Sequence, residues 1–157
     1  MKNFKNLPLR IGVGIILLNA KKQVFVGKRI DNPKNFWQMP QGGVDQNESF
    51  LEAAKRELEE ETGIKTVKII KELNYWLEYE LPDHLLGKIL QGYKGQKQKW
   101  FIMKFIGKID EINVKTKKPE FIEWKWIDIQ ELPKVAVDFK IEVYKKLQIE
   151  LASLKLS

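Results

Sequence analysis

The segment from Ser49 to Gly63 constrains the fold of this chain more than any other. It opens with the capping-box pattern Ser49-Phe50-Leu51-Glu52 and ends at a glycine after Thr62, so it predicts a single helix. At about 100° per residue, three glutamates of this helix fall within one sector. That acidic sector, formed by Glu57, Glu60 and Glu61, overlaps the apolar stripe of Phe50, Leu51, Ala54 and Leu58 that must face the core.

The overlap of acidic and apolar sectors predicts a site for a divalent cation. Like charges three and four residues apart repel each other, and the repulsion grows where one of them is partly buried. Mg²⁺ prefers carboxylate, water and phosphate oxygens, and Mn²⁺ would fit as well. Gly42 and Gly43, just before the helix, allow the backbone to pack closely against such a site. The alternative is an ordinary solvated helix with a surplus of glutamate.

The remaining patterns predict an α+β fold, with a mixed sheet sandwiched between helices. Runs rich in Val, Ile and aromatic residues predict strands at 11–18, 24–29, 67–80, 100–106 and 121–127. Residues 37–43 are predicted to be extended, because Pro40 and two glycines exclude a helix. Residues 81–96 form a long loop, and Phe139, Val143, Leu147 and Leu151 recur at the spacing of a C-terminal amphipathic helix.

Composition limits the partners and the compartment of the chain. Its 157 residues suit one domain, and no apolar run is long enough to span a membrane. With no cysteine, disulfides and thiolate sites are excluded, and a reducing cytoplasm is the simpler location. The net charge of +7 favours a polyanionic partner such as RNA, although a lysine-rich composition is equally typical of an AT-rich genome. The three arginines, Arg10, Arg29 and Arg56, are candidates for binding carboxylate or phosphate.

The segment from Gly42 to Ile64 resembles the Nudix box, G-x5-E-x7-R-E-U-x-E-E-x-G-U. Every defined position matches: Gly42, Glu48, Arg56, Glu57, Leu58, Glu60, Glu61, Gly63 and Ile64. In that family the equivalents of the three sector glutamates bind divalent cations, and the equivalents of Glu48 and Arg56 pair to hold loop and helix together. The family fold is an α/β/α sandwich with a mixed β-sheet. We therefore expect residues 7–157 to form a single Nudix hydrolase domain.

Motifs outside the box resemble those of bacterial RNA pyrophosphohydrolases and of the related dinucleoside polyphosphate hydrolases. They lie at 37–43, 95–101 and 119–121. The resemblance implies a further metal ligand from Glu120. It also implies a set of substrate-binding residues: Arg10, Arg29, Gln41, Val137, Phe139 and Lys140. An aromatic beside an apolar residue stacks a base, and a guanidinium grips phosphate. Phe139 could instead be purely structural, at the start of the C-terminal helix.

The resemblance implies hydrolysis of a phosphoanhydride bond by a water that bound Mg²⁺ activates. The metal would be held by Glu57, Glu60, Glu61 and Glu120, and Glu61 is our candidate for the general base. On 5′-triphosphorylated or diphosphorylated RNA the product is a 5′-monophosphate end, which promotes RNA decay. The alternatives are cleavage of diadenosine tetraphosphate to ATP and AMP, hydrolysis of free nucleoside triphosphates, or nucleotide or RNA binding without catalysis. His84, the only histidine, is predicted to be a solvated loop residue.

Overall fold

A mixed β-sheet forms the centre of the structure, which is a computed structural model that describes residues 6–31 and 34–154. Its strands in that part of the chain are β1 (Leu9–Leu18), β2 (Val24–Arg29), β3 (Trp37–Gln38), β4 (Gln41–Gly43), β5 (Val67–Glu80), β6 (Gly95–Phe105) and β7 (Phe121–Ile127). They are ordered β3-β2-β1-β6-β5, with β4 paired to β1 and β7 paired to β2. β1 and β6 run parallel, and the other strand pairs are antiparallel.

Helices cover both faces of this sheet. They are α1 (Phe50–Thr62), α2 (Leu132–Val135) and α3 (Ile141–Ser153). On one face, α1 buries Ala53, Ala54 and Leu58 in a cluster with Val13 and Ile15. On the other face, α3 buries its apolar stripe against residues of β1 and β2. The predicted α/β/α sandwich with a mixed sheet is therefore confirmed. Among the described residues, no helix is both long enough and apolar enough to cross a membrane.

The ends of α1 are fixed by its own sequence. Ser49 Oγ accepts a hydrogen bond from the Glu52 backbone N–H at 3.1 Å, and the Glu52 side chain accepts one from the Ser49 N–H at 3.2 Å. At the other end, Gly63 has a φ of 74° and donates its N–H to the Glu59 carbonyl. Since only glycine adopts that left-handed conformation without strain, the helix stops there. The predicted capping box and glycine stop are confirmed.

Strand β1 changes partners along its length, and this change brings the loop before α1 into the sheet. At its C-terminal end β1 forms the predicted hairpin with β2, through the pair Leu18 and Val24. Nearer its N-terminus it pairs with β4, so that Val13 faces Gly42. The Ile15 N–H also donates to the Pro40 carbonyl at 2.9 Å. Residues 41–43 are thereby held as a strand beside the N-terminal half of β1.

Three elements differ from their predicted bounds. The strand predicted at 100–106 begins at Gly95, because Gln96 and Gln98 are buried in the sheet rather than lying in a loop. Phe139 belongs to a single 3₁₀ turn, Asp138–Lys140, that precedes α3, so it is not part of that helix's stripe. Strand β1 begins at Leu9 rather than at Ile11. Residues 67–80 form the predicted strand, β5, and its register shifts twice against β6. Residues 155–157 of the predicted domain lie outside the described part.

Candidate active site

A cavity of about 1170 Å³ opens beside α1, β4 and the turn before α3. It brings together all four glutamates predicted to bind metal: Glu57, Glu60, Glu61 and Glu120. It also brings together every residue predicted to bind substrate: Arg10, Arg29, Gln41, Val137, Phe139 and Lys140. Of the box residues predicted to be structural, Gly42 lines the cavity, whereas Glu48, Arg56 and Gly63 lie outside its wall. Residues far apart in sequence therefore share one space.

Glu61 is the most deeply buried acid of the cavity. The residue is only 5% exposed, and its carboxylate accepts a hydrogen bond from the Gln41 backbone N–H. Its Oε2 atom has no hydrogen-bond partner. Burial raises the pKa of Glu61 well above its ordinary value, and the nearby charges of Glu57 and Glu120 raise it further. Burying a carboxylate oxygen without a hydrogen-bond donor costs free energy, and a bound cation would remove that cost.

Arg56 holds the acidic face of α1 to the loop before it. Its Nε and Nη2 atoms donate to the two carboxylate oxygens of Glu48, at 2.7 and 2.9 Å, and Nη2 also donates to the Gly43 carbonyl at 2.9 Å. Its Nη1 donates to Glu57 at 2.9 Å and to Glu60 at 3.2 Å. The pair of Glu48 and Arg56 that the resemblance implied is present, and the planar guanidinium suits it because it bridges several acceptors at once.

The carboxylates fit a divalent cation by the chemistry of their donors, all of which are hard oxygen atoms. The unpartnered Oε2 of Glu61 points to the same fit. Within residues 6–31 and 34–154, however, no three acidic or histidine side chains already converge on one point. In this structure the carboxylates of Glu57 and Glu60 instead accept hydrogen bonds from Nη1 of Arg56.

Cationic side chains lie in the same cavity as the acids. Arg29 makes a two-point ion pair with Asp31, at 2.8 and 2.6 Å. Lys140 is unusual because it is only 4% exposed; its Nζ donates to the Gln38 side chain at 2.9 Å. Burial lowers the pKa of Lys140 to about 7, and the neighbouring charge of Arg29 contributes to the shift. Together with Arg10, these groups suit a ligand that carries several phosphates.

The apolar end of the cavity is built around Tyr79 and Phe139, whose ring centroids are 5.5 Å apart. Lys140 Nζ lies 5.3 Å from the Tyr79 centroid and 5.9 Å from the Phe139 centroid. Tyr79 is buried, and its hydroxyl accepts a hydrogen bond from the Gln41 side chain at 3.3 Å. Tyr79 was not predicted as a site residue from the sequence. The available signal was the period of two in β5, which places Leu77, Tyr79 and Leu81 on one buried face.

The cavity is also lined by residues that were not predicted to have a role in the site. His84 is exposed in the connection between β5 and β6, as predicted, and it also lines the cavity. Its neighbours Leu85, Ile89 and Leu90 line the cavity too. Near the acidic end, Lys117 and Lys118 line it beside Glu120. These residues come from loops, whose path the local sequence pattern does not determine.

This chain is similar to known proteins in both sequence and fold. Residues 8–147 match the model of the NUDIX domain. The RNA pyrophosphohydrolase of Pelagibacter ubique (strain HTCC1062) is 61% identical over 147 residues, which are 93% of each chain. That of Orientia tsutsugamushi (strain Boryong) is 45% identical, over 92% of this chain and 91% of its own. Among solved structures, the E. coli dihydroneopterin triphosphate pyrophosphohydrolase has a TM-score of 0.68 at 20% identity, covering 92% of this chain and 99% of its own, and so shares the fold.

Proposed function

The chain belongs to the NUDIX family of hydrolases, and from that premise we propose that it removes pyrophosphate or phosphate from the 5′ end of RNA. The substrates are 5′-triphosphorylated or diphosphorylated ends, and the product is a 5′-monophosphate end that favours RNA decay. The observation that supports this most directly is a single cavity that joins the Glu61 carboxylate, whose Oε2 has no hydrogen-bond partner, to the aromatic surface of Phe139. Phosphates and a base would occupy its two ends.

Hydrolases of this family generally need divalent cations. We propose Mg²⁺, with Mn²⁺ as a substitute, held by Glu57, Glu60, Glu61 and Glu120. When bound there, the cation would neutralise charge on the phosphate oxygens and acidify the attacking water. Glu48, Arg56 and Gly63 contribute by fixing α1 and the loop before it, so the carboxylates start from one defined arrangement. Residues 7–157 act as one catalytic domain in this proposal.

Glu61 is the proposed general base. The Oε2 atom of Glu61 has no hydrogen-bond donor. Because the residue is buried, the carboxylate is shielded from the water that would otherwise lower its basicity. The Gln41 N–H holds the carboxylate in place, and β4 holds Gln41 in turn through its pairing with Gly14 of β1. The proton that leaves the attacking water therefore has a fixed acceptor beside the phosphates.

The cations of the cavity orient the substrate. Arg10 and Arg29 bind phosphate oxygens in this proposal, and Lys140 adds a contact whose strength depends on its protonation. Phe139 and the half-buried Val137 form an apolar surface against which a base near the 5′ end stacks. Gln41 contributes to both the phosphate end and the base end of the cavity, since its backbone contacts Glu61 while its side chain contacts Tyr79.

One observation favours a second candidate, a dinucleoside polyphosphate hydrolase. The cavity volume of about 1170 Å³ is large enough for two nucleosides as well as for an RNA end. Such an enzyme would cut diadenosine tetraphosphate to ATP and AMP with the same carboxylates and cations. The two candidates differ in whether the group beyond the phosphates is an RNA chain or a second nucleoside.

The test is a side-by-side measurement of kcat/KM with Mg²⁺ on a short 5′-triphosphorylated RNA, on diadenosine tetraphosphate and on GTP. Glu61→Gln is the inactive reference, and Glu72→Gln, an exposed glutamate of β5, is the matched control. We expect the RNA to exceed the other substrates by at least about tenfold. A preference for the dinucleotide replaces the first proposal with the second. If Glu61→Gln still turns over substrate, the assignment of Glu61 as the base is refuted. If the wild-type protein turns over none of these substrates, only a binding role is left.

A further inference from the structure

A second group of cationic and aromatic side chains lies outside the catalytic cavity, on the face of the sheet that α1 covers. It consists of Phe50 of α1, Trp76 of β5 and the lysines Lys97 and Lys99 of β6, and none of them lines the cavity. We call this group the Trp76 patch. All four residues are half-buried, and the proposed mechanism uses none of them.

Both lysines of the Trp76 patch are held against one indole ring. Lys97 Nζ lies 5.2 Å and Lys99 Nζ lies 5.4 Å from the centroid of the Trp76 ring. The Phe50 ring meets the indole edge-on, with the two centroids 5.2 Å apart, and so fixes it from the side of α1. An indole attracts a cation over its face but carries no net charge, so each ammonium group still lacks a counter-ion.

The two ammonium groups have no anionic partner within residues 6–31 and 34–154. Neither Lys97 nor Lys99 donates a side-chain hydrogen bond or forms an ion pair there. Glu78 stands opposite Lys97 in the strand register, yet the two side chains form no ion pair. Two half-buried cations are thus left side by side, an arrangement that a phosphate group would stabilise by charge-assisted hydrogen bonds.

A bulge in β5 aligns the indole with these lysines. Glu72 pairs with Phe101 of β6. The next pair in the register is Trp76 with Lys99, so β5 contains two more residues than β6 over this interval. Bulges bend a strand and re-aim its side chains, and they are common beside functional sites. Because side chains alternate along a strand, Lys97 lies on the same face of β6 as Lys99, within reach of the same ring.

The Trp76 patch and the catalytic cavity lie on opposite faces of the same strand. Gln96 lines the cavity, and the next residue of β6, Lys97, faces the other way. On α1 the patch contacts Phe50 in the first turn, which lies about 10 Å before Glu57 at the rise of an α-helix. A polynucleotide that leaves the cavity past the N-terminal end of β6 can therefore continue onto the patch.

We propose that the Trp76 patch binds the phosphodiester backbone of the RNA chain downstream of its 5′ end, outside the catalytic cavity. This inference rests on the proposed function. Lys97 and Lys99 each contact a phosphate, and the indole holds the two ammonium groups in place. The net charge of +7 suits the same polyanionic ligand. Because such contacts recognise phosphate rather than base edges, the patch favours longer RNA without regard to sequence.

The experiment compares the double variant Lys97→Gln/Lys99→Gln with a control that loses the same charge. The control is Lys68→Gln/Lys104→Gln, a cross-strand pair of lysines at the other end of β5 and β6 that does not line the cavity. The substrates are a 5′-triphosphorylated dinucleotide, too short to leave the cavity, and an unstructured 5′-triphosphorylated RNA of roughly 20 nucleotides. The measured quantity is kcat/KM at low and high salt.

Salt dependence counts the phosphate contacts. On single strands each contact contributes about 0.7 to the slope of log affinity against log salt, so two contacts weaken binding about sevenfold more between about 50 and 200 mM salt. On the longer RNA, kcat/KM of wild type and of the control should fall by that extra factor relative to Lys97→Gln/Lys99→Gln. On the dinucleotide all three proteins should respond equally to salt. Lys97→Arg/Lys99→Arg, which keeps both charges, should behave as wild type does.

Two outcomes overturn the inference. One is the same salt dependence on the longer RNA in Lys97→Gln/Lys99→Gln as in the control, which would show, even with a lowered Tm, that the lysines only support the sheet. The other is an equal loss on both substrates, which would place the effect inside the cavity.

A failure of the proposed function is recognised separately. If wild type hydrolyses no triphosphorylated RNA, that proposal fails, and the Trp76 patch is judged by binding alone. The probe is then the longer RNA with a 5′-hydroxyl end, followed by fluorescence anisotropy at low salt. Weaker binding by Lys97→Gln/Lys99→Gln than by the control would support the patch, and equal binding would refute it.

Discussion

The Tyr144 hydroxyl helps to hold the backbone beside the active site, and removing that hydroxyl tests the contribution quantitatively. The residue is 1% exposed, in α3, and its hydroxyl accepts a hydrogen bond from the Met39 N–H at 2.8 Å. Met39 is also fully buried, and it precedes the Pro40 and Gln41 backbone that contacts β1 and Glu61. Tyr144→Phe keeps the ring and leaves one buried N–H without an acceptor.

The expected cost is about 2 kcal/mol of unfolding free energy, within the range of about 1–3 kcal/mol for an unsatisfied buried donor. For a chain of this length each kcal/mol lowers the Tm by about 2–4 °C, so the Tm should fall by about 4–8 °C. Thermal and urea unfolding, followed by circular dichroism without divalent cation, measure both quantities. The control is Tyr75→Phe, because the Tyr75 hydroxyl bonds Glu150 at 2.7 Å on the exposed surface. That change should cost less than about 0.5 kcal/mol.

The Tyr144→Phe variant is also expected to lose activity. Because the same hydroxyl fixes the turn that delivers Gln41 to Glu61, kcat should fall in Tyr144→Phe at a temperature where the variant is fully folded. Equal stability losses in the two tyrosine variants would refute the account of the buried hydrogen bond. A full loss of stability with unchanged kcat would refute the link from Tyr144 to the position of Glu61.

Three further predictions follow from the same geometry. Glu61→Gln should abolish turnover yet raise the Tm measured without divalent cation, because it removes a carboxylate whose charged form is disfavoured by burial, and the Tm should no longer respond to added Mg²⁺. Gly42→Ala should lower kcat at least tenfold with little change in Tm, since its Cβ would overlap the Glu57 carboxylate; an unchanged kcat contradicts the packing. The pKa of Lys140 is lowered to about 7, so the unfolded chain binds more protons between about 7 and its ordinary 10.5. Stability should therefore rise over that pH range in wild type, as measured by urea unfolding, and Lys140→Met should remove that part of the rise.

The features that the sequence predicted well are those decided by neighbouring residues. The limits of α1 depend on Ser49, Glu52 and Gly63, all within or beside the helix, and the side chains bond as the capping pattern requires. The burial of Ala54 and Leu58 follows from helical period alone. These interactions span at most one or two helical turns, so a linear pattern contains all the information needed.

The features that were missed depend on which strands become neighbours. β1 and β6 run parallel, a pairing that joins residues 9–18 to 95–104 and that no short pattern specifies. This pairing buries Gln96 and Gln98, and the loop that precedes β6, residues 82–94, lines the cavity. The burial of Lys140 was equally unpredictable, since lysine is almost always exposed. Its Nζ is satisfied in that buried position because the Gln38 side chain, in β3, accepts a hydrogen bond from it.

Arg56 connects the folding of this chain to its proposed chemistry. Through Nε and Nη2 it binds Glu48 and the Gly43 carbonyl, contacts that fix the loop against α1. Through Nη1 alone it holds Glu57 and Glu60. Release of those two carboxylates therefore breaks only the Nη1 contacts and leaves the loop in place. A lysine, with a single nitrogen, offers no such division. This explains why a chain that uses lysine for most of its positive charge retains arginine at this position.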